Sequence, residues 1–183
     1  MELKIRKREG AAKSELGQIR REGNIPAVLY SPEKPSEMIV IDGVEMKTVL
    51  RNIVAGRLST TRFTLVDGEK EVPAIVKGIQ YHPTTYQILH MDFMTPSESV
   101  KIRVPIECVG MSECQGLKLG GFLRQVIRYA KIECAPDKIP AAFFIDIRDL
   151  VIGESKRMSD LTMPEGIRSL DSAKEVIAVV AKR

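Results

Sequence analysis

A chain of 183 residues, 44% hydrophobic and 28% charged, holds enough apolar material for one large folded domain or two small ones. A mean hydropathy of −0.07 excludes both a disordered polar chain and a membrane protein, and no run approaches the roughly 18 apolar residues that span a bilayer. The net charge of +4 and pI near 9.0 suit a nucleic-acid partner without requiring one.

The first residues, Met1 to Arg8, are basic and lack the apolar stretch of a secretory signal, so the expected compartment is the cytoplasm. Within residues 1–30, seven basic side chains face four acidic ones, which puts +3 of the charge excess at the N-terminus. From Ala12 to Glu22 the residues Ala12, Leu16 and Ile19 recur at helical spacing, with Lys13, Gly17 and Arg20 on the neighbouring stripe. Gly23-Asn24 ends this helix, and Ile25 to Tyr30 is an apolar run of strand length stopped by Ser31-Pro32. Met38 to Ile41 is a second short strand. Asp42 can cap a helix whose Met46, Val49, Leu50 and Ile53 form one buried face.

Thr61 to Val66 and Glu71 to Ile79 are β-rich and joined through Asp67-Gly68, a hairpin signal. Gln87 to Phe93 alternates: Leu89, Met91 and Phe93 are expected on the core side, Ile88, His90 and Asp92 on the other. The breaker cluster Thr95 to Ser99 divides the chain into expected domains of residues 1–95 and 96–183. In the second half Val100 to Val109, Phe122 to Cys134, Phe143 to Ile147 and Val176 to Val180 read as strands separated by turns bearing Gly and Pro.

Catalytic motifs are absent. There is no Gly-x-Ser-x-Gly, and the Gly116, Gly120, Gly121 cluster lacks the Lys-Ser/Thr of a phosphate loop, so it reads as a hairpin turn. Cys108, Cys114 and Cys134 are an odd count without Cys-x-x-Cys, and the histidines are His82 and His90 alone, so neither a zinc site nor a disulfide is expected. A Cys–His nucleophile pair would have to join residues of different proposed domains, so an enzyme working through Cys114 is a rival and not the main reading.

Binding is better served. Lys13 and Arg20 share a helix face with Gly17 between them, and Arg21 flanks it. Such a face fits phosphate, though on the helix alone a solvated basic surface paired with Glu15 and Glu22 is slightly favoured. Tyr30 is either core or a platform for a base. His90 can donate to phosphate or a base edge, or be structural. Asp92 can accept from guanine or cytosine amino groups, orient His90, or be a plain surface carboxylate.

Ile19 to Tyr30, Gly78 to Pro83 and Ile88 to Phe93 together resemble the bacterial ribosomal protein L-twenty-five family. Gly116 to Leu123, Ala135 to Pro140, Ile145 to Leu150, Ile152-Gly153 and Ser159 to Gly166 resemble its longer two-domain form, general stress protein CTC. The resemblance implies a mainly β fold with short helices: an N-terminal antiparallel β-barrel domain that binds 5S ribosomal RNA, and a mostly β C-terminal domain. It implies RNA contacts from Arg20, Arg21, Tyr30, Gln80, His90 and Asp92, supported by Arg8, Lys13, Ser14 and Lys77. Ser31 and Tyr81 depart from the family's usual glycine and basic residue. The expected protein is a cytoplasmic, non-enzymatic monomer in the central protuberance of the large ribosomal subunit, beside neighbouring ribosomal proteins. No cofactor, metal, membrane or DNA is expected. A stress-related binding protein acting off the ribosome is the alternative.

Overall fold

The structure, a computed structural model, describes residues 1–8, 10, 12–31, 35–68, 70–97 and 99–182. Glu9 of the charge count, Pro32 of the strand stop and Glu98 of the breaker cluster fall outside the described residues. The chain divides into two compact units, Met1–Glu98 and Ser99–Arg183.

In the first unit the strands are β1 (Glu2–Lys7), β2 (Ile25–Tyr30), β3 (Glu37–Ile41), β4 (Arg62–Asp67), β5 (Lys70–Tyr81) and β6 (Ile88–Met94). Helices α1 (Lys13–Arg21) and α2 (Gly43–Asn52) interrupt them. The strands close a barrel in the order β1-β3-β2-β6-β5-β4. The expected barrel is therefore present, with one correction: β1 with β4, and β2 with β6, pair in parallel, so the barrel is mixed and not wholly antiparallel. A hairpin leaves a local mark in sequence, whereas a parallel pair needs a long crossover and leaves none.

β1 escaped the sequence reading although Leu3 and Ile5 alternate with charges, and both are buried. The barrel interior is filled by Leu3, Ile39, Leu65, Met91 and the edge-on pair Phe63 and Phe93, centroids 5.9 Å apart at 87°. Such a pair adds to its area burial because the positive ring edge meets the negative face. α2 seats the buried Met46 against this core. Its start is fixed by Asp42, whose carboxylate accepts from the N–H groups of Val44 and Glu45 at 2.7 and 3.3 Å, satisfying donors the helix itself leaves open.

The second unit has β7 (Val100–Val109), α3 (Gln115–Lys118), β8 (Phe122–Gln125), β9 (Tyr129–Cys134), β10 (Phe143–Asp146), β11 (Ser155–Arg157), β12 (Ile167–Ser169) and β13 (Val176–Ala181). They form a four-stranded sheet β10-β7-β9-β12 and a three-stranded sheet β11-β13-β8. The expected single strand from Phe122 to Cys134 is two strands in different sheets. Between them the N–H groups of Val126 and Ile127 both donate to the Ile177 carbonyl, so the chain turns a corner where the sequence carries neither glycine nor proline to mark it.

The glycine cluster is also corrected. Gly116 lies in the short helix α3, and a Cβ there would come within 2.9 Å of the Leu150 carbonyl oxygen and of Val180. Close backbone packing accounts for Gly116 and Gly121, whereas Gly120, at φ 88 with open space around it, makes the turn that ends α3.

Candidate nucleic-acid interface

The barrel's outer surface across β2, β6 and β5 brings the central candidates together. His90 and Asp92 alternate with the buried Met91 and Phe93, so their side chains stand on the outer face. Register places Gln80 opposite His90, Gly78 opposite Asp92, Val28 beside Asp92, and Tyr30 beside Met94. Tyr30, Gln80, His90 and Asp92 thus share one face. Tyr30 is 42% exposed, which decides against the core reading, and its carbonyl is held by the N–H and hydroxyl of Thr95 at 2.9 and 3.2 Å.

His90 and Asp92 are only 18% and 30% exposed at the side chain, with Nδ1 3.2 Å from Oδ1. The distance is that of an ion pair, yet the buried Nδ1 finds no partner in hydrogen-bond alignment. Asp92 thus stands against the imidazole without a formed hydrogen bond. Gly78 makes this arrangement possible: a Cβ there would lie 2.9 Å from Asp92 Oδ2. The carboxylate crosses the space a side chain on β5 would occupy.

The alternation expected across Gln87 to Phe93 fails at its start. Pairing runs Gln80 with His90 and then Tyr81 with Ile88, so Leu89 bulges out of register. Ile88, expected on the polar side, packs against the core, while Leu89 lies outside the core cluster. One extra residue reverses the faces beyond it. The bulge has a second effect, because Arg20 Nε donates to the Leu89 carbonyl at 3.0 Å. That bond ties the C-terminal end of α1 to β6 beside His90. A second irregularity, between Val76 and Gly78, leaves Lys77 exposed next to Gly78.

Other expected contacts are less firmly drawn in. Arg21 is exposed and donates back to the Gly17 carbonyl at 3.3 Å. Lys13 and Ser14 are exposed at the opposite end of α1, about 10 Å from Arg20 by helical rise. Arg8 folds onto its own loop, Nη1 donating to the Gly10 carbonyl at 2.6 Å. Among the described residues no carboxylate pairs with Lys13, Arg20 or Arg21, and Glu22 accepts from Gln18 instead. The pairing with Glu15 and Glu22 that a solvated basic face would show is therefore not formed.

The thiols lack the setting of nucleophiles. Burial pushes Cys108 and Cys134 up from the ordinary thiol range. Cys114 is fully buried, its thiol donating to the Leu150 carbonyl at 3.4 Å.

Residues 3–93 match the model of the ribosomal L25p family, and residues 99–183 match that of the ribosomal protein TL5 C-terminal domain. The class is thus a two-part, β-rich ribosomal protein, structural and not enzymatic. Similar curated proteins are the large ribosomal subunit protein bL25 of Chlamydia trachomatis serovar L2, 42% identical, of Chlamydia muridarum, 41%, and of Chlamydia caviae, 38%. Each alignment covers 100% of both chains. The chain belongs to the ribosomal L25p family, in the form that carries a TL5-type C-terminal domain. As a ribosomal protein it is cytoplasmic.

Proposed function

We propose that this protein is a structural component of the large ribosomal subunit that holds 5S ribosomal RNA in the central protuberance through the outer face of β2, β6 and β5. The observation that carries this reading is the assembly of Tyr30, Gln80, His90 and Asp92 on one face of a closed barrel. A rigid floor fixes their spacing, which a loop could not, and shape recognition of folded RNA depends on fixed spacing. Arg20, Arg21, Lys13 and Ser14 on α1, with Lys77 and Arg8, supply phosphate contacts that set position. The four face residues supply discrimination: Tyr30 a stacking surface, Gln80 and His90 donors, Asp92 an acceptor for base amino groups. The protein acts as a monomer, without metal or cofactor, through the first unit and beside neighbouring ribosomal proteins.

The test is a gel-shift titration of 5S ribosomal RNA against transfer RNA. Wild type prefers 5S ribosomal RNA. His90→Ala lowers that affinity by about 1–3 kcal/mol, the range for a lost buried polar contact, while leaving the thermal melt in place. Equal affinity for the two RNAs in the wild type would remove the proposal.

A further inference from the structure

The loop from His82 to Gln87, joining β5 to β6, has no part in the face described above. It is nevertheless tightly built. The imidazole Nδ1 of His82 accepts from the N–H groups of Thr84 and Thr85 at 3.3 and 3.2 Å. The His82 carbonyl accepts from Tyr86 N–H at 3.0 Å, and His82 N–H donates to the Gln87 carbonyl at 2.8 Å. Three successive backbone donors at the tip thus converge on one residue, which leaves the loop little freedom.

At that tip stands Tyr86 with φ 55, the one positive-φ residue other than glycine among the described residues. A bulky side chain there is disfavoured by contact between Cβ and its own backbone, and glycine or asparagine would be easier. The loop's backbone hydrogen bonds hold that conformation, but the side chain adds nothing to it: Tyr86 is 78% exposed, and among the described residues its hydroxyl has no hydrogen-bond partner and its ring no aromatic neighbour. A strained backbone that holds a bare aromatic ring in solvent is the geometry of a contact waiting for its partner.

The position says which partner. Tyr86 is four residues before His90, at most about 13 Å along an extended chain. The Arg20–Leu89 hydrogen bond brings the cationic end of α1 to the same end of β6. An exposed ring three residues along the chain from Leu89, to which Arg20 is bonded, fits an unstacked nucleobase whose neighbouring phosphates reach the cations.

We propose that the His82–Gln87 loop is a preformed finger whose Tyr86 ring stacks on a nucleobase in a non-helical part of the bound RNA. The proposal rests on the RNA-binding reading and extends the contact beyond the barrel face. Because His82 already orders the loop, stacking requires little further ordering, and the ring contributes nearly its full attraction.

The variants separate ring from backbone. Tyr86→Gly removes the ring and relieves the positive φ, so it should melt no lower than wild type yet bind 5S ribosomal RNA about fivefold or more weakly. Tyr86→Phe should bind as wild type does. The chain contains no tryptophan, so Tyr86→Trp places a single indole at the tip. Its fluorescence should be quenched, and its access to acrylamide reduced, on titration with the RNA. Wild-type affinity in Tyr86→Gly, or an indole unchanged by RNA that a gel shift shows to be bound, would overturn the finger and leave the barrel-face reading intact. Loss of 5S preference in the wild type itself would overturn both.

Discussion

The two units invert what charge alone suggests. Met1–Glu98 carries fourteen basic and thirteen acidic residues, a net +1, while residues 99–183 carry fourteen and eleven, a net +3. The +3 of residues 1–30 stands, and residues 31–98, at −2, offset it in the unit's total, so the basic footprint is confined to the start of the unit. Both units hold paired cations: Lys4 with Glu45 and Lys7 with Glu37 in the first, and Arg148 and Lys131 in the second. Arg148 grips Asp146, Nη2 to Oδ2 at 2.6 Å, with Glu113 at 3.7 Å. Lys131 has Asp171 at 3.8 Å, and Lys101 faces Glu133 across the sheet. In the first unit, Lys13, Arg20 and Arg21 have no such partner among the described residues, and Arg20 is fastened beside a face of polar side chains on a closed barrel. On the proposed RNA-binding reading, placement and pairing rather than net charge select the surface.

The contrast can be broken most forcefully at the barrel's interior. Phe93→Ala removes half of the edge-on pair behind His90 and Asp92 and should cost about 3–5 kcal/mol of first-unit stability in a denaturant melt. RNA affinity should fall only as the unfolded fraction grows. Affinity lost at full foldedness would mean that Phe93 supports the contact face directly.

A smaller effect separates positioning from recognition. Arg20→Gln with Arg21→Gln should flatten the dependence of log affinity on log salt by about one to two units while keeping the preference for 5S ribosomal RNA. Arg20→Gln alone should also loosen α1 from β6, because the Leu89 carbonyl loses its donor. An unchanged slope in the double variant would show that α1 does not face phosphate.

The smallest effect sharpens the second unit's half of the comparison. Arg148 beside Asp146, through its side-chain and backbone hydrogen bonds, holds that carboxyl down at about 2. A lowered folded pKa means the stabilisation is complete above the ordinary value near 3.8 and is lost as pH falls through about 2. A carbon-shift titration of Asp146 should give that midpoint, and Arg148→Ala should return it toward 3.8. A normal midpoint in the wild type would mean that the pair does not persist in solution.

Much of this was legible in the sequence because the signals are local. The Asp42 cap, the hairpin through Asp67-Gly68 and the alternation from His90 to Phe93 each depend on neighbours within a few residues. What was hidden depends on pairing at a distance. Gly78 is interpretable only once register sets it opposite Asp92, and the bulge that turns Ile88 inward exists only relative to β5. The same applies to the parallel pairs that close the barrel and to the corner after Gln125. β11 and β12 have three residues each, too few for any periodicity. Arg20 was read as a phosphate ligand, and the structure adds a hydrogen bond that also makes it a fastener of α1.

The central claim is that recognition belongs to the first unit despite the second unit's larger charge. Its most direct test is a binding titration of residues 1–98 and of the full chain with 5S ribosomal RNA, with folding of the fragment checked by circular dichroism. The account predicts affinities within about threefold, well under the 1.4 kcal/mol of a tenfold change. A folded fragment that binds more than about tenfold more weakly would contradict it.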